Sequence, residues 1–219
     1  MVEPVNTRRH ASPALEYDAE VAVGRLAEVD DKLARLIERV GGFAMPTRER
    51  MSPFEMLLRA IVYQQISGKA AASIHARVAA LFARRKPGPR KLRTISDAAL
   101  RGAGLSRSKL LAVRDLADKT IDRTVPSLRE LQAMDDESII ERLVEVRGIG
   151  RWTVEMLLIS QLGRPDVLPV TDLGIRKGFQ ISHGGRALPD PKKLLRYGER
   201  WRPYRTVASW YLWRANDLP

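Results

Sequence analysis

The chain of 219 residues carries 38 Lys and Arg against 26 Asp and Glu, which gives a net charge of +12 at pH 7. This balance is typical of a protein that binds a polyanion such as nucleic acid. The absence of cysteine excludes disulfides, thiol catalysis, cysteine-bound zinc and iron–sulfur clusters. No apolar run reaches membrane-spanning length and the N-terminus lacks a hydrophobic export segment, so we expect an intracellular setting, bacterial cytoplasm and nucleoid or a nucleus.

The first 18 residues are polar and interrupted by proline, and they predict a loose arm ahead of a folded domain at 19–219. Apolar residues recur at helical spacing from Ala19 to Val40, where Gly41 and Gly42 end the pattern. This stretch predicts one long amphipathic helix or two that abut.

The run Ser52-Pro53-Phe54-Glu55 has a serine cap, a proline at the first helical position and a glutamate at the third, which predicts a helix start. That helix leads to two adjacent amides, Gln64 and Gln65, and a second helix is predicted from 69 to 83. Read alone, the two glutamines are interpreted as solvent-exposed residues at a helix end. The segment KPGPRKLR at 86–93 predicts a basic surface loop.

Further helices are predicted at 96–101, 106–120, 127–134, 135–146 and 151–162. The last is apolar nearly all round, so we expect it to be buried and central. In the C-terminal segment, Trp201 and Trp210 are interpreted as packing residues. No alternating pattern of convincing length predicts a strand, and the predicted fold class is all-α.

The turn from Val146 to Gly150 contains two glycines, which allow positive φ and a close approach of the backbone to a partner. A helix start directly after it presents unpaired N–H groups, so the turn predicts an anion site made of backbone. Arg151 and Thr153, read alone, belong to a solvated polar face. Asp172, before LGIRKGF, is by the same reading an ordinary helix cap.

Taken together, RGIGRWT at 147–153 and VLPVTDLG at 167–174 resemble the helix-hairpin-helix (HhH-GPD) superfamily of DNA glycosylases. Within it the chain is most similar to the 3-methyladenine DNA glycosylase II family in its compact form, over 19–213. The resemblance implies a two-lobed helical fold with an active-site cleft between the lobes. The middle lobe would span about 94–162 with the hairpin at 137–162, and the end lobe 19–93 plus 163–219.

The resemblance also implies roles for individual residues. Asp172 would be the catalytic carboxylate, and a residue of the junction at Gln64 and Gln65 would enter the gap that an extruded base leaves in the duplex. The implied substrate-binding residues are Gln64, Trp152, Met156 and Trp213, and the implied DNA-binding residues are Gln65, Gly148, Gly150, Arg151 and Thr153. Met156 replaces an aromatic residue of the best-known bacterial members, which leaves the lesion range open.

No cofactor is expected, and the three scattered histidines show no metal-ligand spacing, so no metal bound by side chains is expected either. The resemblance implies a monovalent cation on the backbone carbonyls of Val144, Val146 and Ile149. The expected partner is double-stranded DNA that contains damaged bases, and we expect a monomer that binds no membrane.

The resulting hypothesis is a monofunctional DNA glycosylase that flips alkylated purines and hydrolyses their N-glycosidic bond in base excision repair. Trp152 occupies the hairpin position where lyase members of the superfamily carry a lysine, and an indole cannot form a Schiff base. Two alternatives stay open: a glycosylase with lyase activity or other lesion specificity, and a non-catalytic hairpin module that binds DNA.

Overall fold

The computed structural model describes residues 17–45 and 51–218, so most of the predicted N-terminal arm lies outside the described residues. Within those ranges the chain forms α-helices joined by turns and contains no strand, which confirms the all-α class. In chain order the helices are α1 (Ala19–Val29), α2 (Asp31–Val40), α3 (Pro53–Tyr63), α4 (Gly68–Ala80), α5 (Pro89–Thr94), α6 (Asp97–Gly102), α7 (Arg107–Ile121), α8 (Leu128–Ala133), α9 (Asp136–Leu143), α10 (Arg151–Leu157), α11 (Leu173–His183), α12 (Pro191–Gly198) and α13 (Arg205–Ala215). In this part of the chain, none of the helices is both long and apolar enough to cross a membrane.

The described residues form two compact units, 17–45 with 163–218 and 51–162. The division after residue 162 coincides with the predicted lobe boundary. Residues 51–93, which the sequence placed in the end lobe, group instead with the hairpin. The physical reason is that α3 packs against α7 and α4, and α5 packs against α7, so this stretch shares a core with the helices that follow it.

In the first unit, the stretch 19–40 forms two helices because the chain breaks at Asp30. Asp30 is extended (φ −151°), and its Oδ1 accepts the N–H groups of Lys32 and Leu33 and caps α2. Its Oδ2 lies 2.9 Å from Trp201 Nε1 and 3.2 Å from His183 Nε2. Burial alone would raise the pKa of Asp30, but these hydrogen bonds outweigh it and hold the pKa below its usual range.

The core of this unit lies between α11 and α13, and α1, α2 and α12 cover it. It confirms the predicted packing of Trp201, which is fully buried, and of Trp210, which is 8% exposed. The two central helices approach each other most closely at Gly178, where an added Cβ would stand 1.8 Å from the backbone oxygen of Leu212. Only glycine permits that approach.

In the second unit, α7 is the helix against which α3, α5 and α6 pack. The start of α3 has the predicted capping box, with Ser52 and Glu55 each bonding the other's backbone N–H. Serine also caps the predicted helices α6, α7 and α8, through the residues Ser96, Ser106 and Ser127. The sequence did not predict helix α5, because the prolines and basic residues of KPGPRKLR favour a loop. In the structure Pro89 stands in the first turn of α5, where a helix tolerates proline.

We predict that Gly178→Ala lowers the free energy of unfolding by about 3 kcal/mol, because the methyl group has to push α11 away from the backbone of α13. Urea unfolding monitored by circular dichroism measures the change.

The matched control is Gly24→Ala in α1, where an added Cβ meets nothing within 4 Å. Replacing that glycine should stabilise the protein by roughly 0.5–1 kcal/mol through helix propensity. Equal effects of the two substitutions would contradict the close approach at Gly178.

Candidate active site

Asp172 stands at the N-terminus of α11, and its side chain caps the helix as the sequence predicts. Its Oδ1 accepts the N–H of Ile175 at 2.8 Å, and its carbonyl accepts the N–H of Arg176 at 3.0 Å. The backbone N–H of Asp172 donates to the Pro169 carbonyl at 2.9 Å, which closes the turn before the helix. The carboxylate is therefore fixed in direction at the positive end of the helix dipole.

Trp213 of α13 holds the same carboxylate oxygen. Its indole Nε1 donates to Asp172 Oδ1 at 2.9 Å, and the indole is only partly buried. Next to this bond, an added Cβ on Gly174 would lie 2.9 Å from Trp213 Cδ1 and 3.1 Å from Asp172 Oδ1. Asn216 continues the connection between the helices by donating its amide to the Gly174 carbonyl at 3.0 Å. Two donors from two helices thus meet on one carboxylate oxygen.

In the second unit, the junction between α3 and α4 is bonded to the glycine turn. Gln64 Nε2 donates to the Gly148 carbonyl at 2.8 Å. Gln64 is therefore a positioning residue for the hairpin, and its expected role at the substrate stays a prediction. Lys109 of α7 donates to the carbonyls of Val62 and Gln64, at 2.7 and 2.9 Å, and desolvation lowers the pKa of its amine. Sequence alone offered no signal for these bonds, because the partners are far apart in the chain.

Gln65 differs from its neighbour in conformation and exposure. It has φ 56°, in the left-handed region that residues other than glycine rarely adopt, and its side chain is exposed. The left-handed turn separates the end of α3 from the start of α4, so Gln65 projects from the tip of the junction rather than continuing either helix.

The hairpin consists of α9, the turn 144–150 and α10. Gly148 has φ 81°, as the predicted tight turn requires, and Gly148 and Gly150 are both exposed. The turn is anchored on α7, because the backbone N–H of Arg147 donates to Asp115 Oδ2 at 2.7 Å. Ile149 and Val146 point inward and are almost fully buried. The turn therefore presents glycine backbone outward on an apolar anchor.

Arg151, at the start of α10, forms ion pairs within the hairpin. Its guanidinium forms a bidentate pair with Glu137 of α9, at 2.6 and 2.8 Å, and also bonds the buried Glu155 at 3.1 Å. These bonds join the two helices of the hairpin, and the Arg151 side chain stays 56% exposed. The DNA-binding role expected of Arg151 stays a prediction, as does that of Thr153, which is half-buried beside the turn.

Trp152 is 46% exposed, so the expectation that the whole of α10 is buried is wrong. Val154 and Leu157 form the inward face of this helix, while Trp152 and Met156 lie one turn apart on the outward side. After Leu157 the chain widens into a π-helical turn, Leu158–Leu162, which ends the predicted helix 151–162 in a different geometry. The helix thus offers an aromatic and a thioether side chain to a partner.

Residues 58–203 match HhH-GPD, the superfamily of base excision DNA repair proteins, which is two thirds of the chain. The chain belongs to the HhH-GPD superfamily. The matched range contains the glycine turn and Asp172.

Similar relatives within the superfamily include "DNA-3-methyladenine glycosylase 1" of Schizosaccharomyces pombe, which is 37% identical over 196 residues, 88% of this chain and 86% of the relative. A solved structure of the fission-yeast 3-methyladenine DNA glycosylase Mag1 in complex with abasic DNA superposes with a TM-score of 0.80 at 36% identity, and covers 90% of this chain and 97% of that one. A DNA-3-methyladenine glycosidase structure from Bacillus halodurans gives a TM-score of 0.81 at 36% identity, with 89% and 88% covered.

We expect the ion pairs of Arg151 to stabilise the hairpin. Arg151→Gln should lower the free energy of unfolding at pH 7 by about 1 kcal/mol, since the pair is half exposed and screened by solvent. The hydrogen bond from Arg151 holds the pKa of Glu137 below its ordinary value of 4.5 in the folded state. A lowered carboxylate pKa stabilises the fold above the unfolded-state pKa and loses that effect as the pH falls, so the cost of Arg151→Gln should shrink below about pH 4.5.

The measurement is urea unfolding of both proteins between neutral and acidic pH. Arg129→Gln, at an exposed arginine of α8, is the control and should cost less than about 0.5 kcal/mol. A cost of Arg151→Gln that is independent of pH would contradict the pairing with Glu137.

Proposed function

We propose that the protein is a monofunctional DNA glycosylase of base excision repair. It would flip alkylated purines of the 3-methyladenine and 7-methylguanine type out of double-stranded DNA and hydrolyse the N-glycosidic bond. The observation that carries the proposal is the Asp172 carboxylate, fixed by α11 and Trp213, in a chain of the HhH-GPD superfamily. Relatives named DNA-3-methyladenine glycosylase support the lesion class.

The proposed chemistry needs little more than that carboxylate. As the bond from the sugar C1′ to the purine nitrogen breaks, the electron pair leaves with the base and positive charge develops on the sugar. A fixed carboxylate stabilises this charge, and water then adds to C1′ and loses a proton. An alkylated purine is already cationic and leaves as a neutral base, so no general acid is required. The developing charge exists only in the transition state, which is where the Asp172 carboxylate would act.

DNA would be held by the second unit. Gly148 and Gly150 expose backbone at the turn and are the proposed phosphate contacts, with Thr153 beside them. Gln65, exposed on its left-handed turn, is the residue proposed to fill the gap left by the extruded base. The net charge of +12 supports a polyanionic partner, and the relative solved in complex with abasic DNA supports the same class.

Trp152, Met156 and Trp213 are proposed to contact the extruded base. The exposed indole of Trp152 supports this role, because the electron-rich face of an indole attracts a cation. Trp213 has its Nε1 edge on Asp172, and a base stacked on its ring face would lie beside the carboxylate. Met156 offers a polarisable thioether in place of a further ring, which suits a broad range of lesions.

The carbonyls of Val144, Val146 and Ile149 remain the proposed ligands of a monovalent cation at the hairpin. Val146 O accepts the N–H of Ile149 at 3.0 Å and retains a second lone pair, which is compatible with a ligand role. A cation there would add positive charge beside the proposed phosphate contacts, and the reaction itself does not involve it.

The two rival functions lack a comparable observation. A lyase needs an amine nucleophile at the hairpin position that Trp152 occupies. A non-catalytic module needs neither a fixed carboxylate nor an indole bonded to it.

We predict that the protein releases free 3-methyladenine and 7-methylguanine from duplex DNA treated with a methylating agent, and leaves the sugar–phosphate backbone intact. Chromatography of the supernatant measures the released bases, and a denaturing gel before and after alkali measures strand cleavage. Nicks should appear only after alkali, because the abasic product is not cleaved without an amine nucleophile.

Incubation with borohydride provides the control for the mechanism, since it would trap a Schiff base as a covalent protein–DNA adduct. A trapped adduct would move the protein to the lyase class. The absence of released methylated purines would instead refute the proposed function as a whole.

A further inference from the structure

Residues 84–93 form a basic segment that the proposed active site does not use. Six of its ten residues are Arg or Lys and none is acidic. The basic residues are Arg84, Arg85, Lys86, Arg90, Lys91 and Arg93, and all six are exposed. The segment is ordered by two backbone bonds, Arg85 N to Phe82 O at 3.0 Å and Lys86 N to Ala83 O at 3.3 Å, and by helix α5.

Most of these charges have no acidic partner within the described residues. Arg93 pairs with Asp118 of α7 at 3.2 Å, but none of the other five lies within ion-pair distance of a carboxylate there. Some arginines elsewhere in the fold do pair with carboxylates, as Arg151 does with Glu137 and Arg205 with Asp166. Like charges held together without counter-charges repel one another, and an anionic partner would relieve that repulsion.

A surface depression lies between the start of α5 and the end of α7, with a volume of about 290 Å³. Its charged lining residues are Arg90, Lys91 and Arg123, so α7 adds a further basic side chain to the segment. The pKa of Glu130 is lowered by its hydrogen bonds to Ser127 and, to a smaller extent, by the charge of Arg123. Asp122, next to Arg123 in sequence, accepts the N–H of Thr124 at 2.9 Å through its Oδ1. We call the six basic residues of 84–93 together with Arg123 the basic face.

The basic face and the glycine turn lie on different sides of α7. Ala112, Asp115 and Lys119 contact the turn, whereas Arg114 and Asp118 contact the α5 segment. At about 100° per residue, the centres of these two groups stand roughly 110° apart around the helix. The basic face is therefore separate from the phosphate contacts proposed at the hairpin.

The chemistry of the basic face favours phosphate over a protein partner. Protein interfaces depend on buried aromatic and aliphatic anchors, and the one large apolar residue of the segment, Leu92, is fully buried in the fold. Flexible cations around an open depression suit the regularly spaced phosphates of a nucleic acid backbone, which require charge but no base contact.

We propose that the basic face binds the phosphate backbone of DNA outside the region that the hairpin contacts. The inference rests on the proposed DNA substrate and extends it to a second contact. The bound phosphates belong either to the flanks of the same duplex or to a second duplex segment. Such a contact would hold the enzyme on DNA while the hairpin releases one set of phosphates and binds the next. It would have no preference for sequence.

The test is the salt dependence of binding to an undamaged duplex of about 40 base pairs, where each lost phosphate contact reduces the slope of log K against log salt by about 0.9. The basic-face variant carries Arg84→Gln, Arg85→Gln, Lys86→Gln, Arg90→Gln and Lys91→Gln. We expect its slope to be shallower than that of the wild type by roughly 3 to 4 units. Should this variant fail to fold, Arg90→Gln with Lys91→Gln serves instead, with an expected decrease of roughly 2 units.

The matched control carries the same change in net charge at exposed residues of α2 and α12: Arg35→Gln, Arg39→Gln, Lys192→Gln, Lys193→Gln and Arg196→Gln. Its slope should fall by less than about one unit. An equal decrease in both variants would mean that net charge alone is responsible, and would overturn the proposal. The proposal would also be overturned if the basic-face variant had the same salt slope as the wild type and brought two duplexes together as well as the wild type does.

Two further arms distinguish the source of the phosphates. If they belong to the same duplex, the defect should disappear on a duplex of about 12 base pairs, which is too short to reach beyond the hairpin. If they belong to a second duplex, wild-type protein should bring two differently labelled short duplexes within energy-transfer distance and the variant should not. Single-turnover base release from a short lesion duplex should be the same in the variant and the wild type. If the wild type itself released no base, the proposed function would be refuted, but the salt dependence of binding would still test the basic face.

Discussion

The carboxylate of Asp172 depends on two hydrogen bonds that reach one oxygen from two helices. Ile175 N donates from the first turn of α11 and Trp213 Nε1 from α13, at 2.8 and 2.9 Å. The arrangement requires the two helices to approach closely, which Gly178 permits at Leu212 and Gly174 permits at the indole. The packing of one pair of helices therefore sets the position of the group on which the proposed chemistry rests.

In the hairpin unit, polar and charged side chains hold in place the backbone that would contact DNA. Lys109 and Gln64 bond the α3–α4 junction to α7 and to the turn, and Arg151 joins α9 to α10. These polar groups bond within the protein, and the exposed glycines and Gln65 are among the proposed contacts to the duplex. A partner held by backbone and shape rather than by base-specific side chains agrees with an enzyme that has to test many sequences.

Local signals in the sequence were sufficient for the helix starts, the glycine turn and the cap at Asp172, because each depends on residues within four positions of one another. The family resemblance supplied the roles. What the sequence could not provide were bonds between distant residues: Trp213 to Asp172, Gln64 to Gly148 and Arg151 to Glu137. For the same reason it did not show that Arg151 and Gln64 form bonds within the hairpin unit. It also missed α5, whose helix depends on packing against α7.

The most direct measurement is the single-turnover rate of methylated-purine release by Asp172→Asn, with Asp190→Asn, a second aspartate helix cap, as its control. Asparagine still caps a helix, so both variants should stay folded and bind an abasic duplex. We expect Asp172→Asn to slow release by at least about 10³-fold, because it removes a group that stabilises transition-state charge, and Asp190→Asn to keep the wild-type rate. Release by Asp172→Asn within about tenfold of the wild-type rate would contradict the central role of this carboxylate.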